Sequence, residues 1–303
     1  CLEPVSAENL VNNRNSRNFW CNVKGIGSWS LTGNAAEALS KKFTEMQDDS
    51  EVTAGFMWQK TTRESKKYQL RGEILSFIPV EKNVEVMLVT ITNTGRMAQT
   101  VTPTAAIPLY GRSADNIRDH RHVTSLLHRI ETTDIGVLVT PTLSFDERGH
   151  QVNHMTYYCV GWSGNGEKPV DFYPTAEDFV GEGGNFERPY AIVKNAEGVK
   201  AGTRIEGLEA VGGLHFSEVT LEPEEECSYL IFTGITEDIQ EIRNLSKTYT
   251  TREMVLEELE KTMAGKSKCR LSYRRFGFQP VYALGKFSAN PAPYLWLFIP
   301  SAS

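Results

Sequence analysis

Apolar residues recurring at every second position constrain this chain more than anything else in it. In NVEVMLVTITN (83–93) the alternation is nearly lost because both faces are apolar, as in a strand buried between two layers. Similar runs are VTAGFMWQK (52–60), KYQLRGEILSF (67–77), IGVLVTPTLSF (135–145), HMTYYCVGW (154–162), LHFSEVTL (214–221) and CSYLIFTG (227–234). Turn signals such as NTGR and DERGH separate them. No regular helix of 10–15 residues is interleaved between these runs, which disfavours parallel βαβ winding and predicts a large antiparallel sandwich. At 303 residues and 40% hydrophobic, the chain can bury a core of that size.

Helical periodicity is concentrated late. The segment NAAEALSKKF (34–43) predicts a short crossing helix. TEDIQEIRNLSKTY (236–249) places Ile239, Ile242 and Leu245 on one face, and TTREMVLEELEKTMA (250–264) opens with Thr250 and Glu253 at capping-box spacing. The predicted organisation is a β domain over 1–235, a helical linker over 236–265, and a tail over 266–303 that matches neither.

Composition narrows the function classes. A net charge of −6 with no Lys/Arg block argues against nucleic acid and against an anionic membrane surface. No stretch reaches the roughly 20 apolar residues of a spanning helix, and CLEPVSAENL lacks the basic start and apolar core of a secretion signal. A cytoplasmic protein is expected, and the initial Cys1 suggests that residues once preceded it. Five widely spaced cysteines without a C-x-x-C pair argue against a disulfide framework and against zinc, and are expected to be free core thiols. The sequon at Asn244 lies in a predicted helix and is read as incidental.

The densest polar stretch is YGRSADNIRDHRHVTSLLHRI (110–130). Arg112, Asp115, Arg118, Asp119, His120, Arg121 and His122 fall within eleven positions. They form either a solvated loop laced with salt bridges or a loop that grips hydroxyls or anions by charge-assisted hydrogen bonds. His120, His122 and His128 have no carboxylate or thiol at ligand spacing, so no metal site is expected. Asp146 and Glu147 are adjacent and point to opposite faces of a strand, which excludes an acid/base pair around one glycosidic bond and marks them as turn residues. The glycines of FVGEGGNFERPY (179–190) lack dinucleotide-site spacing and are given a conformational role. Trp20, Trp29, Trp58, Trp162, Tyr157 and Tyr158 are either sandwich core or platforms for sugar rings.

Three stretches together carry a family resemblance: RNFWCNVKGIGSWSLTGN (17–34), VTITNTGRMAQTVTPTAAIPLYGRSADNIRDHRHVTSLLHRI (89–130) and DFYPTAEDFVGEGGNFERPYAI (171–192). They resemble the N-terminal β-sandwich domain of the glycoside phosphorylases of glycoside hydrolase family 94, formerly glycosyltransferase family 36. The branch they look most like acts on 1,2-β-oligoglucans. The resemblance spans residues 10 to about 265. It implies a galactose mutarotase-like supersandwich, then a helical linker, then an (α/α)6 barrel that holds the chemistry. In that barrel an Asp protonates the glycosidic oxygen while inorganic phosphate, the co-substrate, attacks the anomeric carbon with inversion. The sandwich supports homodimerisation and lends loops to the substrate cleft. The resemblance therefore assigns the 110–130 loop, through Arg112 to His122, to binding a β-glucan oligosaccharide or phosphate, with no catalytic residue and no cofactor in the sandwich.

The tail bears on this assignment. In the resembling enzymes the linker leads into a run like QPTLRRIYGCSFLPH, whereas this chain has SANPAPYLWLFIPSAS (288–303). One permissible set of codons for that tail, read one nucleotide later, spells QPTLRRIYGCSFLPH. The same offset lets LSYRRFGFQPVYALGKF (271–287) encode a plausible barrel lead-in. The expectation is a frame shift between about 262 and 271, a non-native tail over 266–303, and a chain without its barrel that is inactive alone. The alternative reading is an independent carbohydrate-binding or aldose-mutarotase-like module. For it, His154 or His215 could serve as the mutarotase histidine, but no carboxylate partner is evident from spacing.

Overall fold

The computed structural model describes residues 17–80, 82–111, 125–146, 149–264 and 287–288. A six-stranded sheet is built on β13 (Asp171–Thr175), β15 (Ala210–His215), β7 (Gln99–Leu109), β1 (Asn18–Val23) and β2 (Gly27–Ser30), in that order, with β16 (Val219–Leu221) also paired to β7. A second sheet runs β14 (Arg204–Glu206), β8 (Arg129–Thr132), β9 (Gly136–Val139), β12 (Thr156–Ser163), β17 (Glu226–Thr236), β6 (Val84–Asn93), β5 (Leu70–Phe77), β4 (Trp58–Ser65), β3 (Asp49–Gly55) and β18 (Phe287–Ser288). A separate hairpin joins β10 (Leu143–Asp146) to β11 (Gly149–Val152). The main ladders are antiparallel, from β1 with β7 to β17 with β6, as the alternating runs and short turns predict.

The two sheets face each other across one apolar core. Phe19, Val101, Ile107 and Leu214 come from the smaller sheet, and Met87, Val89, Ile91, Tyr229 and Ile231 from the larger. Each sheet buries its outer face as well, which is why the central strands read as continuous apolar runs. Behind the larger sheet, Val86, Leu88, Trp162 and Phe232 meet Ile242, Leu245, Tyr249 and Val255. The last four belong to α4 (Ile239–Thr248) and α5 (Arg252–Ala264) or to the joint between them. Behind the smaller sheet, Trp20, Ala106, Tyr173 and Val211 are covered by Phe179 and Ile192 from α2 (Ala176–Val180) and α3 (Tyr190–Lys194).

Several expectations are corrected. VTAGFMWQK is not one strand: it turns between Gly55 and Trp58, with Met57 at φ 65°. Similarly, 135–145 divides at Thr140–Thr142 into β9 and β10, and 214–221 divides between β15 and β16. Strand β7 has a central position in its sheet despite Pro103 and Pro108. Pro103 lies where the neighbour changes from β15, which reaches Thr104, to β16, which starts at Val101, so its missing N–H interrupts no ladder there. The crossing helix shrinks to α1 (Ala36–Ser40). Ile239 is 44% exposed rather than buried with Ile242 and Leu245. The last helix starts at Arg252, too late for a Thr250–Glu253 box, and the Thr250 hydroxyl instead meets Met254 Sδ at 3.2 Å.

Candidate functional site

Arg112, Asp115, Arg118, Asp119, His120, Arg121 and His122 all lie outside the described residues. The flanking chain is well packed. His128 is buried, its Nδ1 is 3.0 Å from the Leu208 carbonyl, and burial lowers its pKa below the usual imidazole range. A Cβ on Gly111 would come within 2.7 Å of Pro141 and 3.2 Å of His128 Nε2. Close packing of this kind fixes Gly111 beside His128 and gives His128 a structural role.

A cavity lined by apolar and charged side chains opens where the edge of the smaller sheet meets the larger one. The hairpin that starts it is held by Asn18, whose Oδ1 accepts from Ser30 (2.8 Å) and Thr32 (2.9 Å). Trp29 and Ser30 of β2, Glu37 of α1, Arg63 of β4 and Tyr68 before β5 line the cavity, together with Lys41, Gln47 and Asp48 from the loop after α1. The Trp29 indole donates to Asp48 Oδ2 at 2.9 Å. Arg63 Nη1 stands 3.8 Å from that same oxygen, and Nη2 donates to the Thr32 carbonyl at 3.3 Å. Arg63 Nε is buried with no hydrogen-bond partner. Gly33 makes room for this guanidinium: it sits at φ +76°, and a Cβ there would be 2.1 Å from Arg63 Nη2.

Glu37 closes the other side. Its carboxylate takes Lys41 and Lys67, each at 2.6 Å, and the Tyr68 hydroxyl at 2.6 Å. Burial alone would raise the Glu37 pKa, but these three donors outweigh it and bring it to about 2. Burial, then the neighbouring Glu37 charge, push the Tyr68 phenol well above its usual range. The site thus presents paired charges of both signs, held in place and able to hydrogen-bond in both directions. Nothing in the sequence spacing announced it, because its residues come from four separate segments. Trp29 was singled out, but as core or platform; it is buried, and its N–H holds Asp48 at the cavity wall.

A second cluster supplies the carboxylate that spacing could not identify. His215 Nδ1 is 2.7 Å from Asp171 Oδ1, the two residues lying directly opposite on β15 and β13. Asp171 also meets Lys200 Nζ at 3.8 Å, and the Tyr173 ring lies 5.6 Å from the imidazole. Both members of the pair are buried, so the arrangement pins two strands rather than facing a substrate. His154, by contrast, is exposed.

The remaining motifs resolve simply. Cys21 and Cys159 are buried and Cys227 half-buried, all free; burial raises all three thiols, Cys227 to about 12. Trp20, Trp162 and Tyr158 are core, and Trp58 and Tyr157 are partly buried. Gly181 and Gly183 adopt φ +76° and +66°, the conformational role expected of them. Asp146 ends β10, and Glu147 lies outside the described residues. Among the described residues no three His, Cys, Asp or Glu side chains group as metal ligands, and no helix is long and apolar enough to cross a membrane.

Comparison with known proteins adds the family. No curated protein matches the chain. Among solved structures a polysaccharide lyase is similar at 12% identity and a TM-score of 0.37, over 75% of this chain and 26% of the lyase. The chain thus spans about a quarter of that structure's length. The model of the glycosyl hydrolase 94 supersandwich domain matches residues 22–252, from β1 through α4 to the first residue of α5. With two antiparallel sheets packed across one core and that match over most of its length, the chain belongs to the glycosyl hydrolase 94 supersandwich domain family.

Proposed function

We propose that this chain is the carbohydrate-binding and dimerisation domain of an inverting glycoside phosphorylase acting on β-glucan oligosaccharides, those linked β-1,2 first among them. The observation that carries the reading is the family match over residues 22–252, which takes in both sheets. In this reading the reaction runs in an (α/α)6 barrel. A phosphate oxygen forms the new bond to the anomeric carbon as the glycosidic C–O bond breaks, and a barrel carboxylic acid gives its proton to the departing sugar oxygen. Phosphate is already a competent nucleophile, so one protein acid suffices. The sandwich holds sugar and pairs with a second copy in the cytoplasm.

Calorimetric titration of the chain with β-1,2-glucotetraose tests the binding role: saturable binding supports it, and no heat over a millimolar range refutes it. Light scattering tests the pairing, with about twice the 34.0 kDa chain mass expected. The mutarotase-like alternative has the Asp171–His215 pair in its favour and the burial of that pair against it. Acceleration of α-glucose mutarotation, abolished by His215→Gln, would install it instead.

A further inference from the structure

The loop between α1 and β3 is built at a conformational cost. Phe43 is 84% exposed and adopts φ +66°, a left-handed conformation unfavourable for an aromatic residue. Its backbone N–H donates to Gln47 Oε1 at 2.7 Å, the Thr44 hydroxyl donates to the Lys41 carbonyl at 2.7 Å, and Lys42 Nζ lies 5.1 Å from the Phe43 ring centre. Lys41 and Gln47 of this loop line the cavity, and the Phe43 backbone is bonded to the second of them. A solvent-facing aromatic held in this way contributes nothing to the core.

The cavity that this loop helps to line has a definite chemistry. Its volume is about 30 Å³, room for a water or two or for one exocyclic arm of a sugar, not for a ring. An anion entering it would meet Asp48 and Glu37, and a cation would meet Arg63 and Lys41. A hydroxyl can donate to one wall and accept from the other, and Arg63 Nε, on a side chain only 9% exposed, is a donor with no acceptor.

We propose that this cavity is a saccharide end-group pocket. It takes the hydroxymethyl arm of a neutral terminal sugar between Arg63, Asp48 and Gln47, while the apolar face of the ring packs on Phe43. The pocket would act as an anchoring subsite on the sandwich. The inference rests on the carbohydrate-binding reading of the domain and deepens it.

The test is titration of the wild-type chain and three variants with β-1,2-glucotetraose, alongside thermal melts. Phe43→Gly relieves the left-handed strain, so its melting temperature should hold or rise while affinity falls at least fivefold; a purely structural residue would not separate the two. Arg63→Lys keeps the charge but removes Nε, and Gln47→Ala removes the loop tie; each should weaken binding at least threefold. The Trp29 indole N–H resonance should shift on saturation. Wild-type binding with unchanged affinity in Phe43→Gly and Arg63→Lys and an unmoved Trp29 resonance overturns the pocket while leaving the domain's binding role intact. No binding by the wild-type chain overturns both.

Discussion

Two tryptophans, Trp162 on the larger sheet and Trp29 on the smaller, are used in opposite ways. Behind the sheet, Trp162 stacks on Phe232 at 4.9 Å, Phe232 stacks on Tyr249 at 5.3 Å, and the Trp162 N–H donates to the Tyr249 carbonyl at 2.8 Å. Lys82 reaches the Tyr249 hydroxyl at 2.7 Å and completes the seal. At the rim, Trp29 donates instead to a carboxylate, whose cationic neighbour Arg63 stands 3.8 Å away with one buried donor unused. The first cluster is apolar, with the Trp162 N–H and the Tyr249 hydroxyl both bonded, and its work is to hold α4 and α5 on the sheet. The second keeps unspent hydrogen-bonding capacity beside a strained loop, the usual mark of a place shaped for something other than stability.

Separating the two roles by mutation gives a graded set of outcomes. Trp162→Ala removes a buried ring and leaves the Tyr249 carbonyl without its donor, so it should cost about 3–5 kcal/mol in chemical denaturation while oligosaccharide affinity of the folded fraction stays unchanged. Gly33→Ala should cost about 2 kcal/mol, since it forces a side chain into the left-handed region and against Arg63, and unlike Trp162→Ala it should also weaken sugar binding. Phe43→Gly should stabilise by about 0.5–1 kcal/mol, measured by urea midpoint.

The smallest effect is the pH response of Glu37. Its pKa is depressed from 4.5 to about 2, so its ion pairs contribute fully above pH 4.5 and are lost as pH falls toward 2. The carboxylate is over a third exposed, and screening holds the contribution to about 0.5 kcal/mol. The stability gap between the wild type and Glu37→Gln should therefore be constant from pH 7 to 5 and close between pH 4.5 and 2. A gap that widens on acidification would contradict the network.

Sequence legibility followed periodicity. Strands β6, β12 and β17 were readable because long apolar runs with β-branched residues have one interpretation. Strand β7 was hidden by Pro103 and Pro108; the tolerance of Pro103 depends on a break in the neighbouring strand that no local pattern reveals. Helices α2 and α3, five residues each, are too short to show a 3.6-residue period. A signal for α2 did exist, however: Thr175 accepts from the Asp178 N–H, a T-x-x-D cap visible in the sequence. The rim cavity was illegible for a different reason. Its charges lie at 37, 41, 48 and 63, and only the meeting of β2 from one sheet, β4 from the other, α1 and the loop after it brings them together. The same holds for Asp171 and His215, 44 positions apart in the chain.

The account's central claim is that this sandwich binds sugar while proton transfer to the glycosidic oxygen happens in a different domain. The direct measurement is an enzymatic assay for glucose 1-phosphate after incubating the purified 303-residue chain with β-1,2-glucotetraose and orthophosphate. The account predicts none above background even at saturating sugar. Sustained release, abolished when phosphate is omitted, would contradict it.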